Sequence, residues 1–233
     1  MSVRSLLLPF LMLVLPVFAW ADESGVRTGT FMHVMLGKLD SDEAWLIKDD
    51  ETGEAIEGGV GTLPYAGIAV QMNYGSGIFE YGFESGGIIS YKNDTAVFAG
   101  SSDGGFNGRI YVKNDMRMID MSLGGYLAVR PSTWLRFYVS AGPSVVWGSM
   151  SVDDDDIEIE PYSGGEYRYN PSGRKSDIAG SFYARAGFDI LFGDNIGIGF
   201  SVRKNEYDLD FGDVGEFDLN EPQYLVSFTW EME

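Results

Sequence analysis

His33 is the one histidine of the chain, so an imidazole base or a Ser-His-Asp relay has a single place to form. No serine shares its segment, and alternation turns the ring away from Met32, Val34 and Leu36, so a structural histidine in the interior is the expectation. Cysteine is absent, which removes thiolate nucleophiles, thiolate metal sites, disulfides and a lipid-anchored N-terminal cysteine. The glycines Gly197-Ile-Gly199 and Gly104-Gly105 do not join a strand to a helix, as a phosphate loop requires. Asp208, Asp210, Gly212 and Asp213 hint at a calcium loop but lack its spacing and terminal Glu. The densest charge is Asp153, Asp154, Asp155 and Asp156, followed by Glu158 and Glu160. These four aspartates are weak candidates for a divalent cation, and a solvated loop is the plainer reading. Beyond them, Tyr162, Tyr167 and Tyr169 with Arg168, Arg174 and Lys175 have the composition of an adaptable binding surface. No catalytic residue and no cofactor is assigned, and the expectation is a protein that is not an enzyme.

The elements that carry these residues are strands. Helical periodicity is nearly absent, and period-two alternation recurs in segments of roughly ten residues. Leu135, Phe137, Val139, Ala141, Pro143, Val145 and Trp147 share one face, opposite Arg136, Tyr138, Ser140, Gly142 and Ser144. Equivalent patterns run through Met32–Leu36, Ile68–Tyr74, Phe79–Glu84, Ile119–Val129, Ala179–Phe192, Ile196–Arg203 and Tyr224–Trp230, which makes eight predicted strands. Before them, Met1–Arg4 is short and positive, Leu6–Phe18 is apolar, and Ala19-Trp20-Ala21 ends in small residues, the pattern of a signal peptide over 1–21. Residues 22–233 then form one domain.

Short turns at Gly75–Gly77, Arg130–Thr133 and Gly193–Asn195 alternate with four long polar connections, Leu39–Thr62, Lys92–Asp115, Met150–Asp177 and Asn205–Glu221. An eight-stranded antiparallel up-and-down barrel with tight turns at one end and long loops at the other fits this order. Two barrels share such a pattern. A soluble one puts apolar residues inside, whereas a transmembrane one puts them outside. Aromatics at the strand ends (Tyr74, Phe79, Trp134, Trp147, Phe192, Tyr224, Trp230) and a polar face rich in Gly and Ser favour the transmembrane barrel.

The segments Leu135–Gly148, Ser181–Asp189 and Tyr224–Trp230 resemble strands of small bacterial outer-membrane proteins of the OmpA-like, porin-superfamily barrel domain, and the resemblance spans residues 22–233. It implies residence in the bacterial outer membrane, with four long extracellular loops. It also implies that Tyr224, Phe228 and Trp230 are the aromatic signal read by the barrel-assembly machinery. Two departures are Glu231-Met232-Glu233 after the terminal aromatic and Pro143 inside a strand, which calls for a bulge or a non-donating position.

Parity places Glu80, Glu84, Asp120 and Asp189 in the lumen with Arg136, Arg185 and Arg203, and with Arg130 at the turn end. Four acids facing four bases predict a closed ion-pair network that seals the barrel. The surplus negative charge, 35 acidic against 16 basic residues for a net −19, then belongs to the loops and argues against a nucleic-acid partner. Expected partners are outer-membrane lipid and lipopolysaccharide, divalent cations bridging from Asp42, Glu43, Asp49, Asp50, Glu51 and the Asp153–Asp156 run, and an extracellular ligand of the loops. The reading is a non-enzymatic structural or surface-interaction barrel. A narrow channel for small solutes and a lipid-modifying enzyme stay open as alternatives.

Overall fold

The computed structural model describes residues 29–39, 45–48, 55–59, 61–74, 78–101, 107–152, 157–163, 169, 171, 173–192 and 195–232. Its strands are β1 (Thr30–Leu39), β2 (Trp45–Lys48), β3 (Ala55–Gly59), β4 (Leu63–Asn73), β5 (Phe79–Ser101), β6 (Asn107–Ser132), β7 (Leu135–Val152), β8 (Ile157–Ser163), β9 (Gly173–Phe192), β10 (Ile196–Lys204), β11 (Tyr207–Asp210), β12 (Glu216–Leu219) and β13 (Gln223–Met232). A 3-10 turn, Gly212–Val214, joins β11 to β12.

Eight of these close on themselves in the order β1, β4, β5, β6, β7, β9, β10, β13, each antiparallel to its neighbour, with β13 returning to β1. The backbone register fixes the shape. A rung that starts at Ala128 passes through Tyr138, Gly187, Ser201, Leu225, Gly37, Tyr65 and Ser90 and regains β6 at Met118, ten residues away. Eight strands with a stagger of ten residues tilt by roughly 43° and leave an interior only wide enough for side chains.

Around the lower part of the barrel the outward positions are large and apolar, among them Phe79, Phe83, Leu127, Phe137, Val139, Phe182, Phe200, Val226 and Phe228. Phe137, Phe188 and Phe200 stack side by side across three strands, with ring centroids 6.2 and 5.6 Å apart. A continuous belt of this kind is stable only against lipid. The inward positions of the same strands are rich in Glu, Asp, Arg, Gln, Ser, Thr and Tyr, with Phe31, His33 and Leu191 among them. Pro143 lies outward, in unbroken register with Phe182, so it occupies a non-donating position without a bulge.

Higher along the same strands the two faces exchange chemistry. On β6 the inward residues change from Tyr126 and Asp120 to Met118, Met116, Val112 and Ile110, while the outward ones change from Leu127, Met121 and Ile119 to Arg117, Lys113 and Arg109. On β7 the inward series runs from Arg136, Tyr138 and Ser140 to Val146, Met150 and Val152. The strands thus leave lipid and continue as a soluble barrel, in which water outside demands an apolar inside.

The four long connections, expected to be polar loops, build this upper storey. β3 pairs with β5, β2 with β3, β12 with β2 and with β11, and β8 with β6. They contribute Trp45, Ile47, Ile56, Phe98, Tyr207, Leu209, Phe211, Val214, Phe217 and Leu219 to one buried apolar cluster with Met35, Leu39, Leu63, Met116 and Met150. Each large side chain buried there contributes about 1.5 to 3 kcal/mol. Trp45 Nε1 and Tyr169 Oη both donate to the Val214 carbonyl, at 3.1 and 2.7 Å. Trp45 meets Phe98 edge to face at 5.0 Å. Asp210 Oδ1 accepts from the Gly212 N–H at 2.7 Å, so the residues that hinted at a calcium loop make a capped turn.

Candidate functional site

The lumen below this cap holds the predicted charges in two clusters. β7 supplies Arg136, which is fully buried and donates three ways: Nε to Glu80 at 2.7 Å, Nη1 to Asp189 at 3.0 Å and Nη2 to the Gln71 side-chain oxygen at 2.7 Å. Its guanidinium plane lies 4.0 Å from the centre of the Phe31 ring. A planar fork against a ring face with acceptors around its rim is a geometry that Arg fills and Lys cannot. Gln71 passes the connection on, donating from Nε2 to Glu84 at 2.5 Å. Glu84 also accepts from Ser140 at 2.7 Å, Tyr183 at 3.2 Å and Arg185 at 3.2 Å. Arg185 completes its fork on Ser201 and Tyr138.

His33 sits at the edge of this cluster, fully buried, with Nδ1 3.3 Å from Thr229 Oγ1 and 3.7 Å from Asp189 Oδ1. Thr229 donates to the same Asp189 oxygen at 3.0 Å. A hydroxyl, an imidazole and a carboxylate therefore meet in the lumen. They are closed off on every side, and Asp189 is committed to Arg136, so the group is built to hold position.

The second cluster lies between the first and the cap. Arg203 grips Asp120 with two parallel bonds of 2.7 and 2.9 Å and reaches Gln223 at 3.2 Å. Asp120 also accepts from Asn205 at 2.8 Å and from the Tyr207 hydroxyl. Tyr183 joins the clusters: its ring lies 5.1 Å under Arg203 while its hydroxyl donates to Glu84.

Arg130 takes no part. It turns to the short-turn rim and makes a two-pronged bond to Glu231, at 3.0 and 3.1 Å, because the register irregularity between Val129 and Ser132 carries it out of the lumen face. The expected balance of four acids and four bases is thus corrected to four acids with three arginines and a set of neutral donors. Gln71, Tyr138, Ser140, Tyr183, Asn205 and Thr229 were not singled out from sequence; alternation put most of them on the inward face, and no spacing rule said which charge each would meet.

Among the described residues no group of three His, Cys, Asp or Glu is placed to hold a metal ion. The Asp153–Asp156 run, Asp42, Glu43, Asp49, Asp50, Glu51 and the signal peptide over 1–21 lie outside the described residues. Tyr224, Phe228 and Trp230 all point outward from β13, beside the β1 seam.

Beside this closed eight-stranded wall, apolar outside and ion-paired inside, stands a match of residues 5–231 to a family described as the outer membrane protein beta-barrel domain. The chain belongs to that family. It is an integral β-barrel of the bacterial outer membrane. Among solved structures it is similar to the outer membrane protein OprG from Pseudomonas aeruginosa, with a TM-score of 0.51 at 10% identity over 89% of this chain and 97% of that one. It is also similar to Ail, the attachment invasion locus protein of Yersinia pestis, with a TM-score of 0.45 at 11% identity over 88% of this chain and 98% of that one. The OprG match shows a shared fold. Among curated proteins none matches.

Proposed function

We propose that this barrel is a sealed, non-enzymatic scaffold that holds a rigid extracellular platform above the outer membrane. The observation that carries the reading is the double filling of the interior: paired charges below and a packed apolar cap above, with Arg136, Asp189, Phe98, Trp45 and Val146 each at 0% exposure. An eight-stranded wall of this stagger has room for side chains alone, and here they fill it. A channel needs a continuous wet path, and a lipid-modifying enzyme needs a nucleophile with an accessible base; His33, the sole imidazole, is locked between Thr229 and Asp189. On the same reading, the outward aromatics Tyr224, Phe228 and Trp230 serve as the signal for the assembly machinery.

Planar-bilayer recording on the purified protein tests the proposal. Silence is expected; large, stable, open conductance from the unmodified barrel overturns it and promotes a channel.

A further inference from the structure

The point at which the faces exchange chemistry marks the upper edge of the lipid-facing belt, and outward charges begin there. Ile89, Ile119, Trp147 and Ile178 form one outward row across β5, β6, β7 and β9. The next outward row up holds Tyr91, Arg117, Ser149 and Ser176, and the one above holds Asn93, Asp115, Ser151 and Arg174. Two residues along a strand are about 6.6 Å, so Arg117 and Arg174 stand within one to two rows of the last apolar side chains. On the other side of the barrel, Lys38 of β1 and Lys204 of β10 point outward beside Tyr224 at the corresponding edge.

Carboxylates stand higher. Glu57, Glu158, Glu160, Asp208, Asp210, Glu216 and Asp218 are outward and exposed on the cap strands. Exposed cations stand among them, Lys48 beside Glu216 and Arg109 and Lys113 on β6, so the cap surface is mixed in charge, and at the belt edge Lys204 pairs with Glu206 at 3.5 Å. What sets the belt edge apart is a pair of arginines held close together beside the last apolar row.

The strongest patch is Arg117 with Arg174. Asp115 holds both: Arg117 Nε and Nη2 donate to it at 3.0 Å each, and Arg174 Nη2 lies 3.5 Å from Oδ2, reaching across the small Ser151 of β7. The Tyr91 ring supports Arg117 from the side, 5.5 Å from the guanidinium carbon. Each guanidinium carries five donors, and Asp115 uses two of those on Arg117. The two arginine side chains stay 39% and 49% exposed. Two fixed forks whose charge Asp115 only half cancels, beside a lipid wall, suit a phosphate attached to an acyl-bearing headgroup.

We infer that Arg117 and Arg174 form a binding site for the phosphate groups of the outer-leaflet glycolipid, with Asp115 and Tyr91 positioning the two guanidiniums. The inference stands on the outer wall and does not depend on whether the lumen is sealed.

The test is a titration of the full-length barrel, folded in neutral detergent, with phosphorylated lipid A and with the same glycolipid stripped of its phosphates. Wild type should prefer the phosphorylated form, and Arg117→Gln/Arg174→Gln should bind it about tenfold more weakly, as the loss of charge-assisted bonds requires, while its affinity for the stripped form is unchanged. Lys48→Gln, which removes a cation paired with Glu216 on the cap, should leave both affinities alone. Equal binding of the two glycolipids by wild type, or full affinity in the double variant, overturns the site. An equal loss in Lys48→Gln overturns it in favour of bulk charge. Displacement of lipid A by millimolar inorganic phosphate overturns the lipid assignment in favour of a free-anion site. Heat-modifiability on gels verifies that every variant is folded.

Discussion

Arg136 illustrates how one side chain can organise a lumen. Its three bonds go to β5, β9 and β4, so removing it releases three strands' worth of partners at once. Arg136→Ala should leave Glu80 and Asp189 buried without their cation and cost about 3 to 5 kcal/mol, read as a lower urea midpoint in detergent or lipid. Arg136→Lys should recover little of it, since an ammonium cannot face three acceptors across a ring. Gly199 shows the same crowding from the other side: a Cβ there would come within 2.4 Å of both Asp189 Oδ1 and Ser227 Oγ. Above the membrane, Asp218 lies directly across from Asp208 on the β11–β12 hairpin. Partial burial, with Asp208 and Glu206 nearby, raises its carboxyl above the usual aspartate range. A raised folded-state value means that the hairpin is most stable when Asp218 is protonated and loses that stability as pH rises through it. Asp218→Asn should therefore make the hairpin more protease-resistant than wild type at neutral pH, and the difference should vanish below the normal aspartate titration.

The strands carry a sharper test, because one element contains both solvents' rules. Val139 on β7 is 53% exposed on the belt, and Val139→Arg near the midplane should cost roughly 2 to 4 kcal/mol. Ser140 beside it bonds Glu84 in the lumen, so Ser140→Leu should also destabilise, by depriving a buried carboxylate. An unchanged urea midpoint for Val139→Arg would reverse the faces. On β6, Ile110→Asp should loosen the cap and expose Lys175 to trypsin while the heat-modifiable barrel persists, since Ile110 packs only in the upper cluster. The eight barrel strands and their inward charges were legible in the sequence, since alternation survives wherever lipid and lumen differ in polarity. The cap was not. Its strands alternate too, as in Ile110/Val112, Leu209/Phe211 and Phe217/Leu219, but with inverted meaning, and their exposed Asp and Glu gave the segments a loop's composition. Which Arg meets which carboxylate was equally hidden, because stagger, not spacing, brings β4, β5, β7 and β9 to one level.

At the scale of the whole molecule the two seals lie in series. Arg136→Ala alone should stay silent in planar bilayers, because the apolar cap remains above it, and conductance should require Ile110→Asp in the same chain. Conductance from Arg136→Ala by itself would mean that the cap does not close the pore. The exchange of faces along β6 and β7 has a further consequence, for recognition by antibodies. With the cap extracellular, as proposed above, the outward residues of the upper strands, such as Lys113, Glu158 and Asp208, come from strands far apart in the chain, while Ile110, Val112 and Leu209 between them are hidden. Sera raised against linear peptides from these segments should bind denatured protein and miss the living surface. Sera raised against the folded barrel should do the reverse.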